Sequence, residues 1–255
     1  MTSVVDADER PRVVLVTGAA GAIGSATVNV FLRAGFRVVG FDRTPSAGEL
    51  PSDRYTGFRV DLRDEVALTL AVTSATPQGE LAHVIGIAGG ALDGEPGVED
   101  LVQLEADLFR QSLEANLTTQ FLVLKAVLPW LRRSPTRDRS VVLTSSFNAL
   151  AGWGMPAYSA AKAGLIGMVQ ALTGPLGAEG IRINAVAPGT IRTPRTERIW
   201  STSPGHFEAL EKTTALGRLG DAADVARTFL ALATVLTHVT GQVIVVDGGQ
   251  MTKRP

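Results

Sequence analysis

The sequence of 255 residues predicts an α/β fold, a doubly wound parallel sheet of about seven strands with helices on both faces. Three observations carry that expectation. Short β-branched runs alternate with longer segments of 3.6-residue periodicity. The runs are apolar nearly throughout, as strands covered on both faces must be. No internal repeat or low-complexity tract breaks the alternation, and the length suits a single domain over 1–255.

The runs "RVVLVT", "FRVVGFD", "YTGFRVD", "LAHVIGIA", "SVVLTS", "IRINAVA" and "QVIVVD" read as seven strands in order. Between them, "GSATVNVFLRAG", "EVALTLAVTSA", "LFRQSLEANLTTQFLVLKAVLPWLRR", "AYSAAKAGLIGMVQALTGPLGAEG" and "DAADVARTFLALATVL" read as helices. Asp221 and Asp224 open the last of these, where acidic side chains favour the helix dipole, so both are read as caps. The remaining long piece, "PGTIRTPRTERIWSTSPGHFEALEKTTALGRLG", exceeds ordinary connection lengths and reads as irregular, with 189–220 a lid over a site.

Composition narrows the classes. Basic and acidic residues number 24 and 25, a formal charge of −1, and no stretch gathers Lys and Arg into a phosphate-neutralising stripe, which argues against nucleic acid. There is no cysteine, hence no disulfide, thiolate metal site or cysteine nucleophile. The start "MTSVVDADERPR" is polar and acidic rather than signal-like, and no run of 18 apolar residues occurs; a cytoplasmic protein that does not enter a membrane is expected. His83, His206 and His238 share no ligand spacing, so no metal is expected.

Directly after the first strand comes "TGAAGAIG", with Gly18, Gly21 and Gly24 opening a helix. Glycines there let backbone N–H groups approach a pyrophosphate at a helix N-terminus. Asp42 ends the second strand, where a carboxylate can accept hydrogen bonds from an adenosine ribose. A 2′-phosphate at that position would meet repulsion on the order of a few kcal/mol, so NAD is expected rather than NADP. Arg43 beside it can stack on adenine or grip a phosphate. Further along, Tyr158 and Lys162 stand one helical turn apart, with Ser145 at the end of a predicted strand, where ligands of open sheets lie. Moving a phenol from pKa 10 to neutrality takes roughly 4 kcal/mol, which asks for a close, partly desolvated cation.

With "TGAAGAIG", "VDL" at 60–62, "ANL" around Asn116, "LTSS", "YSAAK", "NAVAPGTIRTP" and "VDGG", the chain resembles the short-chain dehydrogenase/reductase family over nearly its whole length. The resemblance implies a Rossmann-like fold and a Ser-Tyr-Lys centre. Tyr158 would be the general acid/base, and Lys162 would hold the nicotinamide ribose while lowering the tyrosine pKa. Ser145, thirteen residues before the tyrosine, would bind the reacting oxygen, and Asn116 would help hold a relay water. It further implies dinucleotide contacts at Gly18, Ala22, Ile23, Gly24, Asp42, Arg43, Asp61, Leu62, Ala88, Gly89, Pro188, Gly189, Ile191 and Thr193, with Asp61 at the adenine. For Thr193 a helix cap before Pro194 is the competing reading. Two departures stand out: Ala22 replaces a glycine, and "IGIAGG" replaces the usual "NNAG", leaving Gly86 and Ile87 where a bracing asparagine stands. Another residue or a water is expected to satisfy the backbone groups there.

Ser145, Phe147, Trp153 and Tyr158 are read as substrate contacts, with Leu92, Asn148, Met155, Trp200, His206 and Phe207 as further pocket candidates. Arg192, Arg195 and Arg198 are either a solvated face or a recruiter of carboxylate or phosphopantetheine. The helices around Asn116 and after Tyr158 are apolar on more than one face; by resemblance they form the dimer faces of a homotetramer. The expected function is hydride transfer between NAD(H) and a small or medium secondary alcohol or ketone. The alternatives are a 3-oxoacyl-carrier-protein reductase using NADPH and a non-catalytic cofactor-sensing protein.

Overall fold

A computed structural model of the chain describes residues 12–44, 53–76, 81–98, 100–201, 203 and 205–252. The polar start read above, residues 1–11, lies outside the described residues. Among these, seven parallel strands form one sheet: β1 (Val13–Thr17), β2 (Arg37–Asp42), β3 (Tyr55–Arg59), β4 (Leu81–Gly86), β5 (Arg139–Thr144), β6 (Ile181–Pro188) and β7 (Val243–Val246). Their spatial order is β3-β2-β1-β4-β5-β6-β7. The order reverses between β1 and β4, and such a switch point opens a crevice at the strands' carboxyl ends.

Alternate residues of each strand feed two cores. Val13, Leu15, Val39 and Phe41 face α2 (Glu65–Ala75), α4 (Thr119–Arg133) and α6 (Pro156–Ala178), which bury Leu68, Val72, Val127, Leu131, Leu165 and Val169 against them. Val14, Val16 and Val38 face α1 (Ala22–Arg33) and α9 (Ala222–Leu230), which contribute Val28, Phe31, Val225 and Phe229. Each such buried side chain stabilises the fold by roughly 1.5–3 kcal/mol. One polar pair bridges two central strands inside the sheet: His83 on β4 stands opposite Ser140 on β5, with Nδ1 and Oγ 2.9 Å apart.

Three elements differ from the sequence reading. The long helix expected over 108–133 is α3 (Ala106–Leu113) and α4 joined by a π-helical turn at Glu114–Thr118. The last helix likewise ends in a π turn, Ala231–Val235. The segment read as irregular holds α7 (Pro194–Ile199) and α8 (His206–Thr213). A reciprocal capping box starts α7, with Thr193 Oγ1 accepting from the Thr196 N–H and Thr196 Oγ1 accepting from the Thr193 N–H. Asp221 and Asp224 cap α9 in the same way, as read from the sequence. Between β5 and α6 lies a single turn, α5 (Asn148–Ala151).

Candidate active site

The carboxyl ends of β1, β2, β4, β5 and β6 open into one cleft of about 1570 Å³. Of the catalytic, dinucleotide and substrate residues and further pocket candidates read from the sequence, every one except Asn116 and Phe207 lines it. Asn116 sits behind the wall, fully buried in the π turn.

At one end the glycine loop is shaped by close backbone approach. Gly18 has φ +68°, and a Cβ there would lie 2.9 Å from the Ala88 nitrogen. A Cβ on Gly24 would lie 1.9 Å from the Gly18 carbonyl oxygen, so neither position admits a side chain. No side chain caps the first turn of α1, where Ala22, Ile23 and Gly24 face the cleft. The Asp42 carboxylate is fixed beside them: one oxygen accepts from the Ala20 N–H at 3.0 Å, the other from the Thr44 N–H and hydroxyl at 3.1 Å. A glycine cradle, a free helix N-terminus and a positioned carboxylate fit a dinucleotide. Asp61 also faces the cleft, but its carboxylate is gripped by Arg63, which holds its pKa at about 2. Any adenine contact by Asp61 would be shared with that guanidinium.

Behind the loop after β4, the missing asparagine is replaced by three side chains. The Thr17 hydroxyl accepts from the N–H groups of Ile87 and Ala88, and Gln120 Nε2 donates to the Ala88 carbonyl at 2.7 Å. Asn116 brackets Gly90, accepting from its N–H at 2.7 Å and donating to its carbonyl and to that of Ser112. Gly86 makes room for Gln120: a Cβ there would meet its Oε1 at 2.3 Å. The departure from "NNAG" is therefore compensated by Thr17 and Gln120, which the sequence reading missed. A small residue at 86 opposite a buried amide was the only available signal.

The reacting groups meet at the floor of the cleft. Lys162 is 2% exposed, and its Nζ donates to the Thr144 carbonyl at 2.8 Å and lies 5.6 Å from the Tyr158 ring centre. Burial first, then the charge of Arg195, pulls its ammonium down to about 7. The Tyr158 phenol is pushed above its usual 10, chiefly by burial and further by the Glu95 carboxylate; Ser146 and the Arg195 charge oppose that shift.

The two adjacent serines are held differently. The Ser145 hydroxyl donates to the Lys162 carbonyl at 2.8 Å, so it braces α6 against β5. Ser146, twelve residues before the tyrosine, is close enough to the Tyr158 phenol to oppose the rise in its pKa, and its hydroxyl accepts from the Asn148 N–H at 3.2 Å. Counting thirteen back presumes a loop of fixed length. Here Gly152, Gly154 and Met155, all at positive φ, fold the loop between the serines and the tyrosine tightly. Met155 at φ +49° is the one non-glycine residue in that region among those described, a strain of roughly 1–3 kcal/mol set three residues before the tyrosine.

The other half of the cleft is mostly apolar. Phe147 packs edge-on to Trp153 at 5.2 Å, and the Asn148 side chain donates to the Trp153 carbonyl. Trp200 and His206 line the cleft and stack at 4.7 Å; Phe207 packs on both without lining it. Arg192 lies over Phe207 and pairs with Glu211, which removes it from the anion-recruiting set. Arg195 instead lines the cleft and donates to the Ala91 carbonyl. Thr193 lines the cleft while its side chain caps α7, so the capping reading and exposure to the cleft coexist. Among the described residues no group of three His, Asp or Glu side chains is placed to hold a metal, and no helix is long and apolar enough to cross a membrane.

Comparison with known proteins places this cleft in company. A family model described as "Enoyl-(Acyl carrier protein) reductase" matches residues 18–251. A probable galactose dehydrogenase of Rhizobium meliloti is 33% identical over 252 residues, 95% of this chain and 96% of that protein. An L-fucose dehydrogenase of Mus musculus is 33% identical over 245 residues, 93% of this chain and 88% of that protein. A crystal structure of an oxidoreductase of the short chain dehydrogenase/reductase family from Burkholderia thailandensis superposes with a TM-score of 0.86 at 34% identity, covering 96% of this chain and 94% of that one.

Proposed function

Because the chain belongs to the short-chain dehydrogenase/reductase family, and so is an NAD(P)-dependent oxidoreductase, we propose that it interconverts a small or medium secondary alcohol and its ketone with NAD(H), using Ser146, Tyr158 and Lys162. The observation that carries this reading is that Tyr158, Lys162 and the adjacent serines line one cleft, whose far end holds the glycine cradle. The nicotinamide dinucleotide supplies or accepts the hydride when bound. Gly18, Ala22, Ile23, Gly24 and Asp42 would hold its adenosine and pyrophosphate, and Ala88, Gly89, Pro188, Gly189, Ile191 and Thr193 its nicotinamide side.

The chain's own groups manage the proton and the orientation. Ser146 donates to the substrate oxygen and fixes it against the phenol. Tyr158 Oη takes the hydroxyl proton in oxidation and returns it to the carbonyl oxygen in reduction. Raised in the ligand-free protein, the phenol needs added positive charge to act as a base near neutrality, which a protonated Lys162 would supply together with a bound oxidised dinucleotide. Asn116 holds Gly90 and with it the wall on which the substrate rests. The Asp42 carboxylate, held at a ribose position, supports NAD over NADP. Relatives named for galactose and L-fucose, both polyhydroxy compounds, support oxidation at a carbinol carbon.

An initial-rate screen of secondary alcohols and ketones, run in parallel with NAD(H) and NADP(H), tests the proposal. Turnover with NAD(H) favoured at least about tenfold is expected. In Asp42→Ser that preference shrinks. Activity confined to NADP(H), or none with any carbinol or carbonyl, contradicts it.

A further inference from the structure

We propose that Arg195 determines specificity by anchoring a carboxylate of the substrate, so that hydroxy acids and their oxo acids are preferred over neutral alcohols. This rests on the oxidoreductase reading above and names its substrate class. Apart from Lys162, the cations that line the cleft among the described residues are Arg43, Arg63, Arg110 and Arg195; Arg63 grips Asp61 and Arg110 pairs with Asp107. The Arg195 guanidinium reaches from α7 across the mouth of the cleft to the loop after β4, where one nitrogen donates to the neutral Ala91 carbonyl. The five donors of a guanidinium are far from exhausted by that contact. No described carboxylate forms an ion pair with it, whereas Arg192 on the same segment pairs with Glu211.

The surroundings favour a planar anion at this point. Gly90 has no side chain, and a Cβ there would lie 2.8 Å from Arg195 Nη1, so the guanidinium rests directly on the loop backbone that Asn116 clamps from the other side. Leu92, Phe147, Trp153, Ile199 and Trp200 make the rest of this wall apolar, which strengthens an ion pair formed within it. The nearby carboxylate, Glu95, is 1% exposed, accepts from the Leu92 N–H and does not line the cleft, so it does not fill the place of the substrate's anion. Arg195 also acts electrostatically on both Tyr158 and Lys162, which places its charge near the reacting oxygen. The carboxylate takes no part in bond making: the carbinol loses its proton and hydride as described above.

The test uses lactate, 3-hydroxybutyrate and 4-hydroxypentanoate, each against its methyl ester, with NAD. For at least one pair the wild type favours the acid in kcat/KM, and the acid-to-ester ratio falls about 30-fold in Arg195→Gln and partly returns in Arg195→Lys. A purely structural role would lower both members of a pair and leave the ratio unmoved, which overturns the proposal while leaving the oxidoreductase reading intact. A second arm needs no turnover: butyrate and butyramide are titrated against the fluorescence of Trp153 and Trp200, which line the cleft. Butyrate quenching that weakens in Arg195→Gln supports the proposal even where no compound is turned over, an outcome that sinks the oxidoreductase reading alone. Equal response to acid and amide overturns it.

Discussion

Tyr158 in the ligand-free protein is a harder acid to ionise than free tyrosine, because burial outweighs the neighbouring Ser146 dipole and the Arg195 charge. Only one other tyrosine, Tyr55, is present, so in Tyr55→Phe the ultraviolet titration reports Tyr158 alone. Its midpoint is expected above 10 without dinucleotide and lower with NAD bound; a midpoint well below 10 in the free protein contradicts the account. The two serines separate by the same logic. Ser146→Ala should cost on the order of 100-fold in kcat with little change in melting temperature. Ser145→Ala removes a buried bond to the Lys162 carbonyl and should cost about 1 kcal/mol of stability, read by denaturant unfolding. The sequence pointed to the tyrosine and the lysine because their helical spacing is invariant physics. Spacing along a loop carries no such constraint, so the choice between the two adjacent serines was not legible in the same way.

At the scale of elements, the site depends on the π turn at Glu114–Thr118 and the loop after β4. The extra residue in the turn re-aims Asn116 out of the helical ladder toward Gly90. Asn116→Ala takes the side-chain partner from the half-buried Gly90 N–H and carbonyl and from the Ser112 carbonyl. A loss of roughly 2–4 kcal/mol in unfolding free energy is expected, together with a rise in KM. An unchanged unfolding midpoint would show that the clamp is not structural. Helix periodicity identified this segment but cannot register one inserted residue, since the apolar stripe continues on either side. Likewise α7 and α8, of six and eight residues, are shorter than the window over which periodicity is read, although Thr193 and Thr196 carried the signature of a cap. The role of 189–220 as a lid remains a proposal supported by Arg195, Trp200 and His206 lining the cleft.

Across the whole molecule, the parallel sheet and both cores follow from runs that are apolar nearly throughout, the half-exposed edge strand β3 excepted, which is why the sheet was legible before any site residue. Legibility stopped at polar groups inside that sheet. His83 is fully buried, and burial, reinforced by the Arg12 and Arg182 charges, lowers its pKa from 6.5 to about 3. The folded state thus resists a proton that the unfolded chain takes up. Its contribution is complete above pH 6.5 and is lost progressively as pH falls toward 3, in all roughly 3–5 kcal/mol. In His83→Phe the melting temperature should fall less steeply between pH 6.5 and 4.5 than in the wild type; parallel slopes would contradict the assignment. Phe121, half exposed on α4, lies on a helix expected to pair in a homotetramer, a state that light scattering of the purified protein resolves.

The central claim is that Tyr158 moves the proton that accompanies hydride transfer. The most direct test compares wild type with Tyr158→Phe, following formation of reduced nicotinamide with the best alcohol found, while NAD affinity is measured separately. Retained NAD binding with turnover lowered at least about 1000-fold is the predicted result. Turnover by Tyr158→Phe within about tenfold of the wild type would contradict it.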